Sequence, residues 1–392
     1  MKIFVLLSRF PYPLEKGDKL RAFHQVVELA KNHEVIVCAL TDQAIESSWK
    51  NALDKHGIKT HIFRLKKPFI YWNTLKQIFT NKPYQTGYFF QRGIQKKILR
   101  LIEEEAPDHI YCQLIRTTEY VKNIHHIPKT LDYMDALSKG MYRRADITHG
   151  LKKQLFRIEG KRLAEYENRI FDYFNHHTII SKQDRAFISH PQRDQIRVIE
   201  NGIGEEFASF PLDSAPEFDI VFTGNMNYPP NIESAVFLVE EVMPLLKDKF
   251  PALKLLLSGA NPHQRVKDLA VKDKIYVTGW IDDIRTSYAS GKLFVAPLQI
   301  GTGLQNKLLE AMAMGRPSIT TPLANNALNA IHNESILIAS NATEFAAAIE
   351  LLLTDPVRYK SIASAGKAFV LKTFSWPHAV EKLVELMQTK PN

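Results

Sequence analysis

Gly301-Thr302-Gly303-Leu304-Gln305-Asn306-Lys307-Leu308-Leu309-Glu310-Ala311-Met312-Ala313-Met314-Gly315 is the stretch whose reading decides the fold. It follows the apolar run Leu293-Phe294-Val295-Ala296-Pro297-Leu298, which reads as a strand. It opens as a glycine-flanked turn and enters a helix that Gly315, Arg316 and Pro317 stop. Strand, glycine turn and helix N-terminus together make an anion site. Free backbone N–H groups and the positive end of the helix dipole point beyond the strand end. Leu304, Leu308, Met312 and Gly315 share one face at helical spacing, and Glu310 points away from it. Lys307 and Glu310 sit one turn apart on the polar side, which suits a phosphate near Lys307 and a hydroxyl-rich group near Glu310. An ordinary exposed i,i+3 pair explains the same spacing, and an isolated glycine motif does not separate the two readings.

Outward from this stretch, short apolar strands alternate with longer amphipathic segments along the whole chain, the signature of parallel α/β architecture. Strands are expected near Ile3–Leu7, Glu34–Leu40, Thr60–Phe63, His109–Cys112, Thr130–Asp135 and Thr178–Ile180. A second series is expected at Asp219–Thr223, Lys254–Ser258, Lys274–Thr278, Leu293–Ala296, Ser318–Thr320 and Ile336–Ala339. A long helix is expected from about Leu151 to Phe174. Between the two series Ala208–Pro216, rich in Ser, Pro and small residues, reads as the linker. With 392 residues the chain is long enough for two domains, 1–207 and 217–374, each with its own core.

Composition narrows the function classes. No run is long enough to cross a bilayer, and the apolar stretch Ile3–Leu7 is too short for a signal peptide and reads as a first buried strand. Cys38 and Cys112 lie in apolar strand-like runs and are expected to be buried thiols in a reducing cytoplasm. The pairs His125-His126 and His176-His177 are adjacent residues, which share no helix or strand face, so no metal-ligand spacing is present. The net charge of +9 favours anionic partners. Nucleic acid lacks a recognition motif here, which leaves nucleotide sugars and an anionic membrane surface.

The run Gly-x-Gly followed by Lys-Leu-Leu-Glu-Ala-Met-Ala-x-Gly-x-Pro at 301–317 resembles the donor-binding segment of retaining glycosyltransferases of family 4. That resemblance implies an α/β fold of two Rossmann-like domains facing each other across a cleft, the glycosyltransferase B-type fold. Its final helix, here 375–392 after Phe374-Ser375-Trp376, returns to the first domain. In the family the last Glu of a Glu-x7-Glu motif holds the ribose of the nucleotide sugar, which falls on Glu310, while Thr302 replaces the first Glu. The resemblance makes Gly301, Thr302, Gly303, Leu304, Lys307 and Glu310 donor-binding residues, with Lys307 and Glu310 also in catalytic roles. Gly224 and Asn225 join them from Phe222-Thr223-Gly224-Asn225-Met226-Asn227-Tyr228-Pro229-Pro230-Asn231, which resembles a subgroup common in bacterial exopolysaccharide clusters. Asn225 and Pro230 stand where most members carry an Arg and a Lys. Asn231 reads as the N-cap of the next helix.

In the first domain, Phe10 to Arg21 resembles the family's first glycine loop, with Gly17 giving a ligand close access to the backbone. Asp18 is suited to cap a helix starting at Lys19. Asn201-Gly202 resembles a motif that ends the first domain, although Ile203-Gly204 follows and a turn explains the dipeptide. Asp135 follows Met134, which stands where many members have His. Its carboxylate either orients the acceptor hydroxyl and accepts its proton or caps the next helix.

The implied activity is transfer of a sugar from a nucleotide-sugar donor to a saccharide or lipid-linked saccharide acceptor, with retention and with neither cofactor nor metal. A nucleotide-sugar epimerase on the same fold and a non-catalytic nucleotide-sugar-binding scaffold are the alternatives. Residues 64–100 carry Arg64, Lys66, Lys67, Lys76, Lys82, Arg92, Lys96, Lys97 and Arg100, with no Asp or Glu. Phe69, Tyr71, Trp72, Ile78, Phe79 and further apolar side chains lie among them, a pattern suited to peripheral attachment at the cytoplasmic face of an anionic membrane. Core aromatics beneath solvated cations give the same pattern.

Overall fold

A computed structural model describes all residues except 15, 147, 213–214, 271–273, 300–303 and 390–392. The chain forms two compact units: Met1–Asn201 with the segment from Trp376 onward, and Gly202–Ser375.

The first unit is a parallel sheet in the order β3-β2-β1-β4-β5-β6-β7. Its strands are β1 (Lys2–Leu7), β2 (Glu34–Thr41), β3 (Lys59–Arg64), β4 (His109–Gln113), β5 (Lys129–Asp132), β6 (His176–Ile179) and β7 (Arg197–Val198). The central strands are buried on both faces, which is why they read as unbroken apolar runs. Alternation along them feeds two cores. Phe4, Leu6, Ile36, Cys38, Ile110 and Cys112 pack on one face. Ile3, Val5, Leu7, Val35, Val37 and Ala39 pack on the other. The helix Trp376–Gln388 belongs to this second face, where Trp376, Val380, Leu383 and Met387 are buried. The Trp376 indole stacks on His24 with centroids 4.9 Å apart and planes at 7°. Cys38 and Cys112 are free, buried thiols, pushed above their ordinary range by burial.

The second unit repeats the plan in the order β10-β9-β8-β11-β12-β13. Its parallel strands are β8 (Phe218–Thr223), β9 (Leu255–Ser258), β10 (Ile275–Val277), β11 (Gly291–Ala296), β12 (Ser318–Thr320) and β13 (Leu337–Ile338). In both units the first strand lies between the second and the fourth, so the direction of winding reverses there. Ligands of open α/β sheets bind outside the strand ends at that reversal.

Three boundaries differ from the sequence reading. The strand expected to end at Asp135 stops at Asp132. Met134 takes a left-handed conformation (φ 60°), and its N–H bonds back to Asp132 Oδ1 at 3.2 Å. The helix expected over 151–174 runs Gly150–Ile170 and tightens into a 3₁₀ turn over Phe171–Tyr173. The chain changes unit at Asn201–Gly202, upstream of Ala208–Pro216. Phe207 and Phe210 pack against the second core, and Lys367 Nζ donates to Ala208 O at 2.8 Å, so this stretch is held to the second unit.

One buried ion pair organises the strand ends of the first unit. Arg21, in the helix Gly17–Ala30, and Asp132, the last residue of β5, are both fully buried. Arg21 Nε donates to Asp132 Oδ2 at 2.7 Å and Nη1 to Asn201 Oδ1 at 2.8 Å. Tyr111 OH from β4 and Thr178 Oγ1 from β6 complete the carboxylate's shell at 2.8 and 2.9 Å. Asp132→Ala leaves the guanidinium buried and unpaired, and is expected to destabilise the first unit by about 3–5 kcal/mol. Arg21→Met with Asp132→Leu should lose less than the two single changes summed. Chemical denaturation checks both, and a loss in the double change equal to the sum of the two single losses would contradict a coupled pair.

Candidate functional site

The second unit brings Gly224, Asn225, Lys307 and Glu310 to the end of the sheet between β8 and β11. Gly224 follows β8 with φ 155°, and its N–H donates to Ser258 O at 3.0 Å. A Cβ there would lie 2.6 Å from Asn231 Nδ2 and 3.1 Å from Lys307 Nζ. Glycine is therefore required on both conformational and packing grounds. Gly259, which the sequence reading passed over, has φ 142°, and a Cβ on it would overlap the Gly224 carbonyl.

The helix after this loop, Pro229–Phe237, begins with two prolines at positions that need no N–H. Asn231 is consequently inside the helix and not its N-cap, which corrects the sequence expectation. Its Nδ2 donates to Asn225 O at 2.9 Å and its Oδ1 accepts from Lys307 Nζ. Asn225 itself is exposed, with Oδ1 accepting from Asn227 N at 3.0 Å in a tight turn.

Lys307 and Glu310 project from the helix Asn306–Ala313, whose Leu308 and Met312 are buried. Leu304 packs, half-buried, against the same core. The two charged residues are half-buried and bond to different partners, unlike an ordinary exposed pair. Lys307 Nζ lies 4.9 Å from the centroid of the Phe222 ring. Burial lowers its pKa to about 8, against the pull of the Glu310 charge. Glu310 Oε2 accepts from Tyr288 OH at 2.6 Å, and that hydroxyl lies 2.8 Å from Thr223 Oγ1. Burial raises the Glu310 carboxyl above its ordinary value, while the Tyr288 bond and Lys307 oppose the shift. A cation and an oriented acceptor thus stand side by side, suited to a phosphate and a hydroxyl pair. Gly301, Thr302 and Gly303 lie outside the described residues.

Gly17 and Asp135 belong to the first unit. Gly17 begins the helix Gly17–Ala30, and no atom lies within 4 Å of where its Cβ would stand. Asp18 is accordingly inside the first turn and does not cap. It accepts from Arg9 Nη1 at 2.5 Å, with Arg116 Nη1 3.9 Å away. Asp135 follows β5 with its surface exposed to water, yet protein surrounds it on most sides. That crowding and Asp184 push its carboxyl up to about 6, while Arg116 pulls it down. Water contact moderates this shift, and its upward direction follows from the crowding. Glu167 serves the start of the next helix instead, accepting from the Ser138 N–H and hydroxyl at 3.0 and 2.6 Å.

Arg9 and Arg116, which no motif signalled, follow β1 and β4 at the first unit's own reversal point. They line a pocket of about 280 Å³ with Asp42, Thr74, Tyr84 and Tyr88. Their position directly after predicted strands was the one available signal. Tyr288 had none, because its role depends on contact with Glu310. Among the described residues no three His, Cys, Asp or Glu side chains converge on a cation site.

Comparison with known proteins bears on the family and the fold. Residues 217–355, most of the second unit, match the family model described as "Glycosyl transferases group 1". Over the whole chain, HepE of Anabaena, solved in complex with UDP and glucose, superposes with a TM-score of 0.63 at 16% identity, covering 100% of both chains. An uncharacterized 44.6 kDa protein in the cps region of Klebsiella pneumoniae is 22% identical over 398 residues, covering 96% of this chain and 95% of that one. The lipopolysaccharide core biosynthesis glycosyltransferase LpsE of Rhizobium meliloti (strain 1021) is 28% identical over 150 residues, 36% of this chain and 44% of its own. The architecture is the glycosyltransferase B-type fold. The protein is a glycosyltransferase.

The lowered pKa of Lys307 has a measurable consequence. Below about pH 8 the side chain is charged, and above it the charge is lost. Binding of a nucleoside diphosphate should therefore weaken as pH rises through about 8, log Kd climbing toward one unit per pH unit. Lys307→Arg should move the break to higher pH. Calorimetric titration at several pH values reads this, and a profile flat to pH 9.5 would separate Nζ from the anion.

Proposed function

We propose that the protein is a family 4, retaining, metal-independent glycosyltransferase of bacterial surface polysaccharide or glycolipid synthesis. It transfers a sugar from a nucleotide-sugar donor to a hydroxyl of a saccharide or lipid-linked saccharide at the cytoplasmic face of the membrane. The observation that carries the donor reading is the pairing of Lys307 over the Gly224 backbone with Glu310 locked by Tyr288. HepE, crystallised with UDP and glucose, makes a UDP-sugar the first donor to test. The cps-region and lipopolysaccharide-core relatives support the surface-glycan setting.

In this reading Lys307 neutralises charge on the departing diphosphate. Glu310 accepts hydrogen bonds from the ribose hydroxyls. Tyr288 holds the carboxylate in place and touches no substrate itself. Lys307 supplies the positive charge that Asn225 and Pro230 do not. Asp135, ionised above about pH 6, orients the acceptor hydroxyl or takes its proton. Gly17 leaves room for acceptor or diphosphate.

Glu310→Ala should cost about 2 kcal/mol or more of donor binding, roughly a 30-fold loss, with the fold intact. Glu310→Gln, which keeps an acceptor for Tyr288, separates charge from packing. Unchanged kinetics with every active donor would remove Glu310 from the donor site. Lys307→Ala should weaken nucleoside diphosphate more than nucleoside, whereas equal weakening would make it structural.

Transfer is also expected to survive EDTA. Activity lost on chelation and restored by Mg²⁺ or Mn²⁺ would contradict the metal-independent reading.

A further inference from the structure

The first unit carries an apolar surface that its own fold leaves uncovered. Of the apolar side chains on the helix Lys67–Lys76, Ile70 is buried, while Phe69, Tyr71, Trp72 and Leu75 are exposed. Ile78 and Phe79 continue the surface, Phe79 at 84% exposure. The 64–100 aromatics thus divide, with Phe89 in the core and these on the outside.

A second element adds to this face. On the helix Gly150–Ile170, Leu151, Leu155, Ile158 and Arg162 follow one another at spacings of four and three, so they share one side. Arg162 marks where that side meets the first element. Its Nη1 donates to Gln77 O at 2.7 Å, and its guanidinium lies 4.9 Å from the Tyr84 ring. Glu159 accepts from Tyr84 N and Gln85 N at 2.8 and 3.1 Å, fixing the two elements together. Toward the helix start the same side carries Ile158, Leu155 and Leu151, all exposed, Leu151 at 85%. The stripe therefore runs directly out of the 77–84 contact.

Charge selects the occupant. Lys66, Lys67, Lys76 and Lys82 border the first element, and Lys152 and Arg157 are exposed beside the second. Neither 64–100 nor 150–158 contains an acidic residue. A groove of about 940 Å³ behind the helix Lys67–Lys76 is walled by Lys66, Phe69, Trp72, Lys76 and Lys97. Glu119, also on its wall, is already engaged by Lys82 and Lys122, each at 2.9 Å. A second copy of the chain would bring the same cations and be repelled. A bilayer rich in anionic phospholipid offers apolar depth and negative headgroups together.

We propose that the 66–79 segment and the exposed stripe of the helix Gly150–Ile170 form one bipartite docking face for an anionic phospholipid membrane, the groove taking headgroup phosphates. This extends the proposed membrane-side acceptor reading and identifies the residues that would make the contact.

Co-sedimentation with phosphatidylcholine vesicles, with and without 30 mol% phosphatidylglycerol, tests it on the full chain. Wild type should bind only the anionic vesicles and release as salt rises. Trp72→Ser with Phe79→Ser, and separately Leu151→Ser with Leu155→Ser and Ile158→Ser, should each weaken binding at least tenfold. Lys66→Glu, Lys76→Glu and Lys97→Glu together should abolish the preference for anionic lipid. All three variants should keep the wild-type melting temperature and UDP affinity, so a failure here is distinct from a failure of the donor-site reading. Wild-type vesicle binding by the Leu151/Leu155/Ile158 variant would overturn the bipartite face. A stable dimer in solution, lost in the same variants, would make the face a self-interface and overturn the membrane assignment.

Discussion

The first unit depends on a charge that water cannot reach. Arg21 and Asp132 are fully buried, and an isolated ion in that position costs several kcal/mol. The cost is offset only because every neighbour contributes. Helix Gly17–Ala30 supplies the guanidinium, β4 and β6 supply hydroxyl donors, and Asn201 closes the remaining direction. The same carboxylate bonds the N–H of Met134 and so bends the chain into the left-handed turn that presents Asp135. One network therefore holds the sheet, the first helix and a strand-end carboxylate in register.

The second unit manages polarity differently. Among the described residues no buried ion pair sits at its strand ends. Lys307 is half-buried beside a glycine backbone, and among the described residues its charge meets the neutral Asn231 amide and Phe222 ring. Such a cation is under-compensated, which is why its pKa falls, and an incoming diphosphate would relieve that cost. Glu310 feels the Lys307 charge but takes its hydrogen bond from the Tyr288 hydroxyl, so each group has its own partner. Gly224 and Gly259 make the arrangement possible by letting two strand ends approach to backbone contact.

The outer face of the first unit follows a third rule. Exposed aromatic and aliphatic side chains on two elements are surrounded by lysine and arginine without intervening acids. The proposed membrane contact would account for the composition of this face.

Much of the architecture is legible in the sequence, because parallel strands buried on both faces leave apolar runs of limited length between amphipathic segments. The α/β class, two series of strands and the helix after Gly301–Gly303 follow from that periodicity and from glycine and proline punctuation. The sequence also displays Lys307 and Glu310 one turn apart. It does not display what they touch. Tyr288 and Asn231 reach them from distant parts of the chain, and hydrogen bonding over such separations leaves no local pattern. Arg9 and Arg116 became neighbours only when winding reversed between β1 and β4. Asn231 and Asp18 looked like helix caps because capping is judged from residue type, whereas two prolines and Gly17 begin those helices earlier. Which aromatics of 64–100 are inside, and that Leu151, Leu155 and Ile158 continue their surface, was decided by tertiary packing. Burial is a property of what lies opposite a side chain, and periodicity alone does not record the opposite surface.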